Sequence, residues 1–252
     1  MATTTAAVPE TPQHISAFGR VVGALVNPRP TFEDIARKPS WLAPLLVMVI
    51  LSIVTPAVIG QRIGWRSFIE KALENNKAAA QQMQQMTPEQ RQQFINQRAK
   101  FAPLFGYLGG AISFPVITLI VAAIFMGIFN AASSAGLDFK TSFGVVTHSY
   151  MPLAIAALLG ILILYLKPPD QIDIQNLVAS NVGAFFSSDA PKWLQVLGAS
   201  LDLFTFWVLA LMAFAYSLVR PKKIRFGTGL TWIVAVWLVY VLVKVGFTAM
   251  FS

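Results

Sequence analysis

Three ionisable side chains sit among apolar neighbours, where a charge needs a reason: Asp202 in "SLDLFTFW", Lys244 in "VYVLVKVGF" and His148 in "VVTHSYMP". Inside a bilayer such groups pair with one another or with helix ends, or they line a path for ions or protons. Asp202 either meets a cation or a helix end within a bundle or stands solvated at headgroup level. Lys244 is about eight residues from the end of its apolar run, roughly 12 Å by helical rise, so it can snorkel partway to the surface. His148 stands near the inner edge of an apolar run and either titrates near neutrality or only packs. An Asp202–Lys244 pair is disfavoured, because the two lie towards the same face at different depths.

Other chemistry finds no residues to perform it. The chain has no cysteine, which removes thiolate nucleophiles, thiolate metal sites and disulfides. Its two histidines, His14 and His148, are far apart and belong to no H-E-x-x-H pattern. "RFGTGL" has a G-x-G but lacks the lysine and further glycine of a phosphate loop, and no serine sits in G-x-S-x-G. The expectation is a protein that is not an enzyme, with no catalytic residue, no metal and no cofactor.

The elements that must hold these residues are set by composition. Of 252 residues 56% are hydrophobic and 12% charged, against about 45–50% and about 25% in soluble domains. That pattern implies an all-α integral membrane bundle. The net charge of +8 would suggest nucleic acid in a soluble protein. Here the bases flank apolar runs, so anionic lipid headgroups explain them and nucleic acid is not expected.

Residues 1–13 read as a disordered Thr/Ala/Pro tail without a cleavable signal. Residues 14–40 read as two amphipathic helices lying in the membrane interface. In the first, Ile15, Phe18, Val22, Leu25 and Val26 share one face and Arg20 another. Thr31 is expected to begin the second. The remainder, 41–252, reads as five spans near 41–60, 104–132, 150–166, 201–219 and 230–251. An extramembrane helical hairpin over 61–100 has "TPEQ" as a capping box, and "SSAGLDFKTS" is read as a loop. The apolar run ending at Val219 is read as one helix whose first turns project or tilt. "GYLGG" places Gly106 and Gly110 one turn apart, a spacing that suits close helix packing.

With five spans the ends lie on opposite sides, and lysines and arginines divide evenly between them. Density decides: "RPKKIR" crowds four bases into six residues, and short basic loops resist translocation. This places the N-terminus in the cytoplasm and the C-terminus outside. Arg37, Lys38, Arg220, Lys222, Lys223 and Arg225 then anchor the inner face.

"NPRPTFEDIARKPSWLAPLL" before the first span and "LDLFTFWVLALMAFAYSL" for the fourth resemble the Yip (Ypt/Rab-interacting) domain family, specifically its bacterial branch. The resemblance covers roughly Phe18 to Phe251. It implies five spans with a cytosolic N-terminus, in a bacterial inner membrane. Eukaryotic relatives take part in vesicle traffic and bind prenylated small GTPases, but no motif here carries that binding over. The leading expectation is a membrane-organising or adaptor protein recruiting a partner the sequence does not identify, compatible with a homo-oligomer. The alternative is a transporter, channel or lipid-moving protein with a polar seam near Asp202, His148 and Lys244.

Overall fold

The computed structural model describes residues 15–74, 76–187 and 190–250. The expected disordered tail and His14 lie outside them. Among the described residues the structure is helical, with no strand. Ser16 caps α1 (Ala17–Val26) by accepting from the Gly19 N–H. α2 (Pro28–Arg37) begins three residues before the expected Thr31. Proline is well placed in a first helical turn because its missing N–H would be unpaired there anyway. Thr31 lies inside α2, its hydroxyl donating to the Asn27 carbonyl at 2.9 Å.

α3 (Leu42–Arg62) is followed by a turn in which Gly64 takes φ +80°, a left-handed conformation that favours glycine. α4 (Trp65–Glu74) and α5 (Lys77–Gln84) follow. Thr87 and Gln90 then form the reciprocal capping box that starts α6 (Pro88–Ser133). No boundary separates an outer hairpin from a second span: α6 is one helix of 46 residues, about 69 Å by helical rise. Its N-terminal part therefore projects well beyond any bilayer, and it ends where Ser134 adopts φ 47°.

The expected loop at "SSAGLDFKTS" is half helix. Asp138 accepts from the Thr141 N–H and starts α7 (Phe139–Ser149), which breaks at Tyr150 and resumes as α8 (Met151–Leu166) with Pro152 in its first turn. Two short 3-10 turns, Pro169–Gln171 and Val182–Phe185, lead to α9 (Lys192–Ser200). The long apolar run then divides. Asp202 caps a separate α10 (Leu203–Val219), and α11 (Phe226–Met250) begins directly after the basic turn.

α7 is the centre of the fold. Every residue from Thr141 to Ser149 is buried, against α6 on one side and α10 and the N-terminal helices on the other. Ser142 donates to the Ala122 carbonyl at 2.7 Å and lies 2.6 Å from the Tyr216 hydroxyl. Serine has one proton and spends it on Ala122, so Tyr216 is the donor to Ser142. That chain joins α10, α7 and α6. The outside is the reverse of a soluble protein: Ile50, Phe105, Ile112, Leu158, Leu162, Val239 and Leu242 are all exposed, a continuous apolar surface that water would not tolerate. Among the described residues four helical stretches are long and apolar enough to cross a membrane: α3, α6, the α7–α8 stretch and α11. α10 is apolar but shorter, at 17 residues.

Candidate membrane and partner interface

At one end of the bundle α1 and α2 form a platform held by charge. Arg20 Nε donates to Asp34 Oδ2 at 2.8 Å, and Nη2 stands 2.7 Å from the same oxygen. Nη1 donates to the Lys38 carbonyl at 2.9 Å and to the Ser40 hydroxyl at 2.6 Å. The two ionised side chains are only 3% and 7% exposed. A guanidinium suits this role because its planar fork can meet several acceptors in one geometry. The clamp presses the strip from Ile35 to Ser40 onto α7 at Gly144, where an added Cβ would lie 2.8 Å from the Ser40 carbonyl oxygen. Trp41 packs on Phe143 with ring centroids 5.2 Å apart.

Arg20 is the residue that sequence reasoning missed. Periodicity puts it only on a different face from the apolar stripe and gives it no role. The structure buries that face instead and exposes Phe18, Val22 and Val26. The available signal was an acid, Asp34, on a neighbouring short helix inside a membrane-bound segment.

The basic turn approaches the same end. Arg220 Nε donates to the Ala135 carbonyl and Nη2 to the Gly136 carbonyl, each at 3.1 Å, tying the turn before α11 to the turn before α7. Its guanidinium is thus occupied by the protein. Lys222, Lys223 and Arg225 are exposed, as are Arg29, Arg37 and Lys38. Arg37 lies 3.6 Å from Asp34 and Arg29 3.8 Å from Glu33. The segments gathered here, 15–41, 134–140 and 220–225, carry nine bases and three acids, whereas 61–100 and 167–202 carry nine and seven. The tie in bases conceals a strong difference in net charge.

Asp138 stands beside this turn. Burial pushes its carboxyl up, but hydrogen bonds from the Thr141 hydroxyl and N–H, with the Arg220 charge, outweigh it and hold it below the usual carboxylate range. A depressed carboxyl lends stability that is fully present above its unfolded value, about 3.9, and is lost as pH falls through the folded value. Asp138→Asn therefore flattens the fall of the thermal midpoint between pH 5 and pH 3. A fall as steep as in the wild type would show that other groups cause it.

The three intramembrane candidates are not joined: among the described residues no hydrogen bond or ion pair links any two of them. His148 is fully buried in α7, within electrostatic reach of Arg20. Its Nδ1–H donates to the Gly144 carbonyl at 2.8 Å, leaving Nε2 buried without a partner. Asp202 is at the opposite end, where Oδ1 caps α10 by accepting the Thr205 N–H at 3.0 Å and Oδ2 accepts from the Ser180 hydroxyl. Lys244, on α11, lines a cavity between α6, α10 and α11. Gly106 faces Trp65 and Pro56, and an added Cβ on Gly110 would lie 2.3 Å from the Ser52 carbonyl oxygen. Among the described residues no cluster of His, Asp and Glu is suited to hold a metal ion.

Comparison with known proteins gives one match, in which the family model of the Yip1 domain covers residues 22–250. No curated protein and no solved structure matches the chain.

Proposed function

The chain belongs to the Yip1 domain family, and from that premise we propose that this integral membrane protein is a non-enzymatic adaptor that recruits a protein partner to a bacterial inner membrane. In this reading the chain makes five helical passes with α10 as the fourth, and the density of bases in the turn after α10 marks that side, with the N-terminal platform, as cytoplasmic and the C-terminus as outside. The observation that carries the reading is the platform itself. A buried ion pair joins α1 to α2, α2 packs on α7 and α10, and Arg220 ties the basic turn to the turn before α7, so the bases Arg29, Arg37, Lys38, Lys222, Lys223 and Arg225 belong to one electropositive face. Such a face attracts anionic headgroups and an acidic partner surface together, and its effect weakens as salt rises.

The test is cross-linking in native membranes followed by purification of the full chain in mild detergent. A stoichiometric partner is expected that is lost from a charge-reversed variant, Arg37→Glu with Lys38→Glu, Lys222→Glu and Lys223→Glu, while a thermal melt shows that variant folded. The reading fails if the protein purifies alone and moves solute or lipid in liposomes in a manner abolished by Asp202→Ala, which is the transport alternative. A reporter fused after Ser252 that works only in the cytoplasm overturns the orientation.

A further inference from the structure

Among the described residues Lys244 has no counter-charge: its ammonium makes no hydrogen bond or ion pair, while its backbone carbonyl accepts from the Thr248 hydroxyl. It is exposed on a helix whose adjacent residues Leu242, Val243 and Phe247 are exposed and apolar. A cation at membrane depth is costly unless it reaches an interface or meets an anion.

The side chain is not aimed at featureless lipid. It lines a cavity of about 510 Å³, within the range of about 300–1,000 Å³ in which small molecules are held. α11 packs on α9 and α10, while α6 packs on α3, α4 and α7, and the cavity occupies the space between these two groups. Phe125, Met212 and Ile233, all buried, form an apolar part. Ser200, Thr205, Tyr240 and Lys244 bring polar atoms to the lining, and no acid is present in it. Along α11 the distance from Ile233 to Lys244 is about 16 Å by helical rise, so the apolar part and the cation are separated as tail and headgroup are in a lipid. Ser200 already donates to the Val196 carbonyl at 2.8 Å, and Lys244 is the one ionised residue in the lining.

From this arrangement we infer that the cavity holds a phospholipid of net negative headgroup, one acyl chain between α6 and α11 and the headgroup phosphate on Lys244. The site lies towards the end of the bundle that carries α9 and Asp202, opposite the basic platform, so it is distinct from any general attraction of anionic lipid to that platform. Charge selects the occupant: the lining offers one positive group and no carboxylate to pair with the ammonium of a zwitterionic lipid.

The test uses the full chain in mild detergent, exchanged into mixed micelles holding equal amounts of phosphatidylglycerol and phosphatidylcholine, with retained lipid counted by native mass spectrometry. About one phosphatidylglycerol per chain is expected, preferred over phosphatidylcholine by about tenfold, as one charge-assisted hydrogen bond can supply. Lys244→Gln abolishes the preference and Lys244→Arg keeps it. Val236→Trp, which fills the cavity, removes retention of both lipids, with a thermal melt confirming that each variant is folded. Equal retention of the two lipids by the wild type overturns the inference. So does a Lys244→Gln protein that still prefers phosphatidylglycerol, a bound lipid that Val236→Trp leaves in place, or occupancy by detergent alone.

Discussion

Arg20→Ala lowers the stability of the folded bundle by about 3–5 kcal/mol, the cost of leaving one member of a buried ion pair without the other. The loss is large because Asp34, 7% exposed in its side chain, would keep a desolvated carboxylate whose remaining cation is Arg37, 3.6 Å away and largely exposed. The Lys38 carbonyl and Ser40 hydroxyl would lose their donor as well. The sign of the effect depends on what is removed. A double replacement, Arg20→Met with Asp34→Leu, takes away both charges and returns most of the stability, since apolar substitutes for a buried pair are often neutral or better. Arg20→Lys falls between, because one ammonium cannot reproduce the fork that meets Asp34, Lys38 and Ser40 together. The thermal midpoint in detergent orders the proteins, and limited proteolysis within α1 and α2 shows whether the platform detaches first. A single mutant as stable as the double would mean that the pair does not hold the platform.

That a clamp of this kind escapes a reading of the sequence has a physical reason. Phe18, Val22 and Val26 do share one face of α1, but in a membrane-bound helix the greasiest face turns towards lipid and the opposite face meets the protein. Phe18 and Val26 are accordingly 72% and 76% exposed, while Arg20, Val21 and Ala24 are buried. The same inversion hid α7. "SSAGLDFKTS" looks like a loop because it is small and polar, yet its last residues Thr141 and Ser142 are buried in α7, as are Thr147, His148 and Ser149 beyond it, and small polar residues are common where membrane helices pack closely. The all-helical membrane bundle, by contrast, was legible, because runs of apolar residues matched to a bilayer leave few other folds. Local capping is legible at Thr87 and Gln90; at Asp202 a helix end is one of the two readings, but the uninterrupted apolar run hides that a separate α10 begins there. Asp202 three residues before Thr205 is the spacing of an N-cap, and the structure uses it as one. The cavity beside Lys244 had no local signature, since it joins residues from α6, α9, α10 and α11.

The contact of α3 with α6 should be the most sensitive packing interface in the molecule, and it supplies its own control. Pro56 has no N–H to give to the Ser52 carbonyl one turn before it. That carbonyl faces Gly110, where an added Cβ would stand 2.3 Å from its oxygen, and the Ser52 hydroxyl divides its one proton between the Gly110 carbonyl at 2.7 Å, a hydrogen bond across the helices, and the Val49 carbonyl of its own helix at 2.8 Å. A backbone atom cannot swing aside as a side-chain tip can, so Gly110→Ala must push the two helices apart and break that hydrogen bond. Overpacking costs about 1–3 kcal/mol, and the lost cross-helix bond adds at most about 1 kcal/mol, because Ser52 keeps the Val49 carbonyl as an acceptor. Gly109, its neighbour in the same helix, has nothing within 4 Å of an added Cβ. Gly109→Ala therefore gains the helical preference of alanine over glycine, about 1 kcal/mol, and raises the thermal midpoint. Opposite shifts from two adjacent, chemically identical substitutions cannot arise from altered helix propensity or detergent binding, which act on both alike. If both variants melt together, α3 and α6 do not approach at Gly110 in the folded protein. If only Gly110→Ala falls, and Ser52→Ala reproduces no more than the hydrogen-bond share of its loss, the remainder measures how little room the two backbones leave between them.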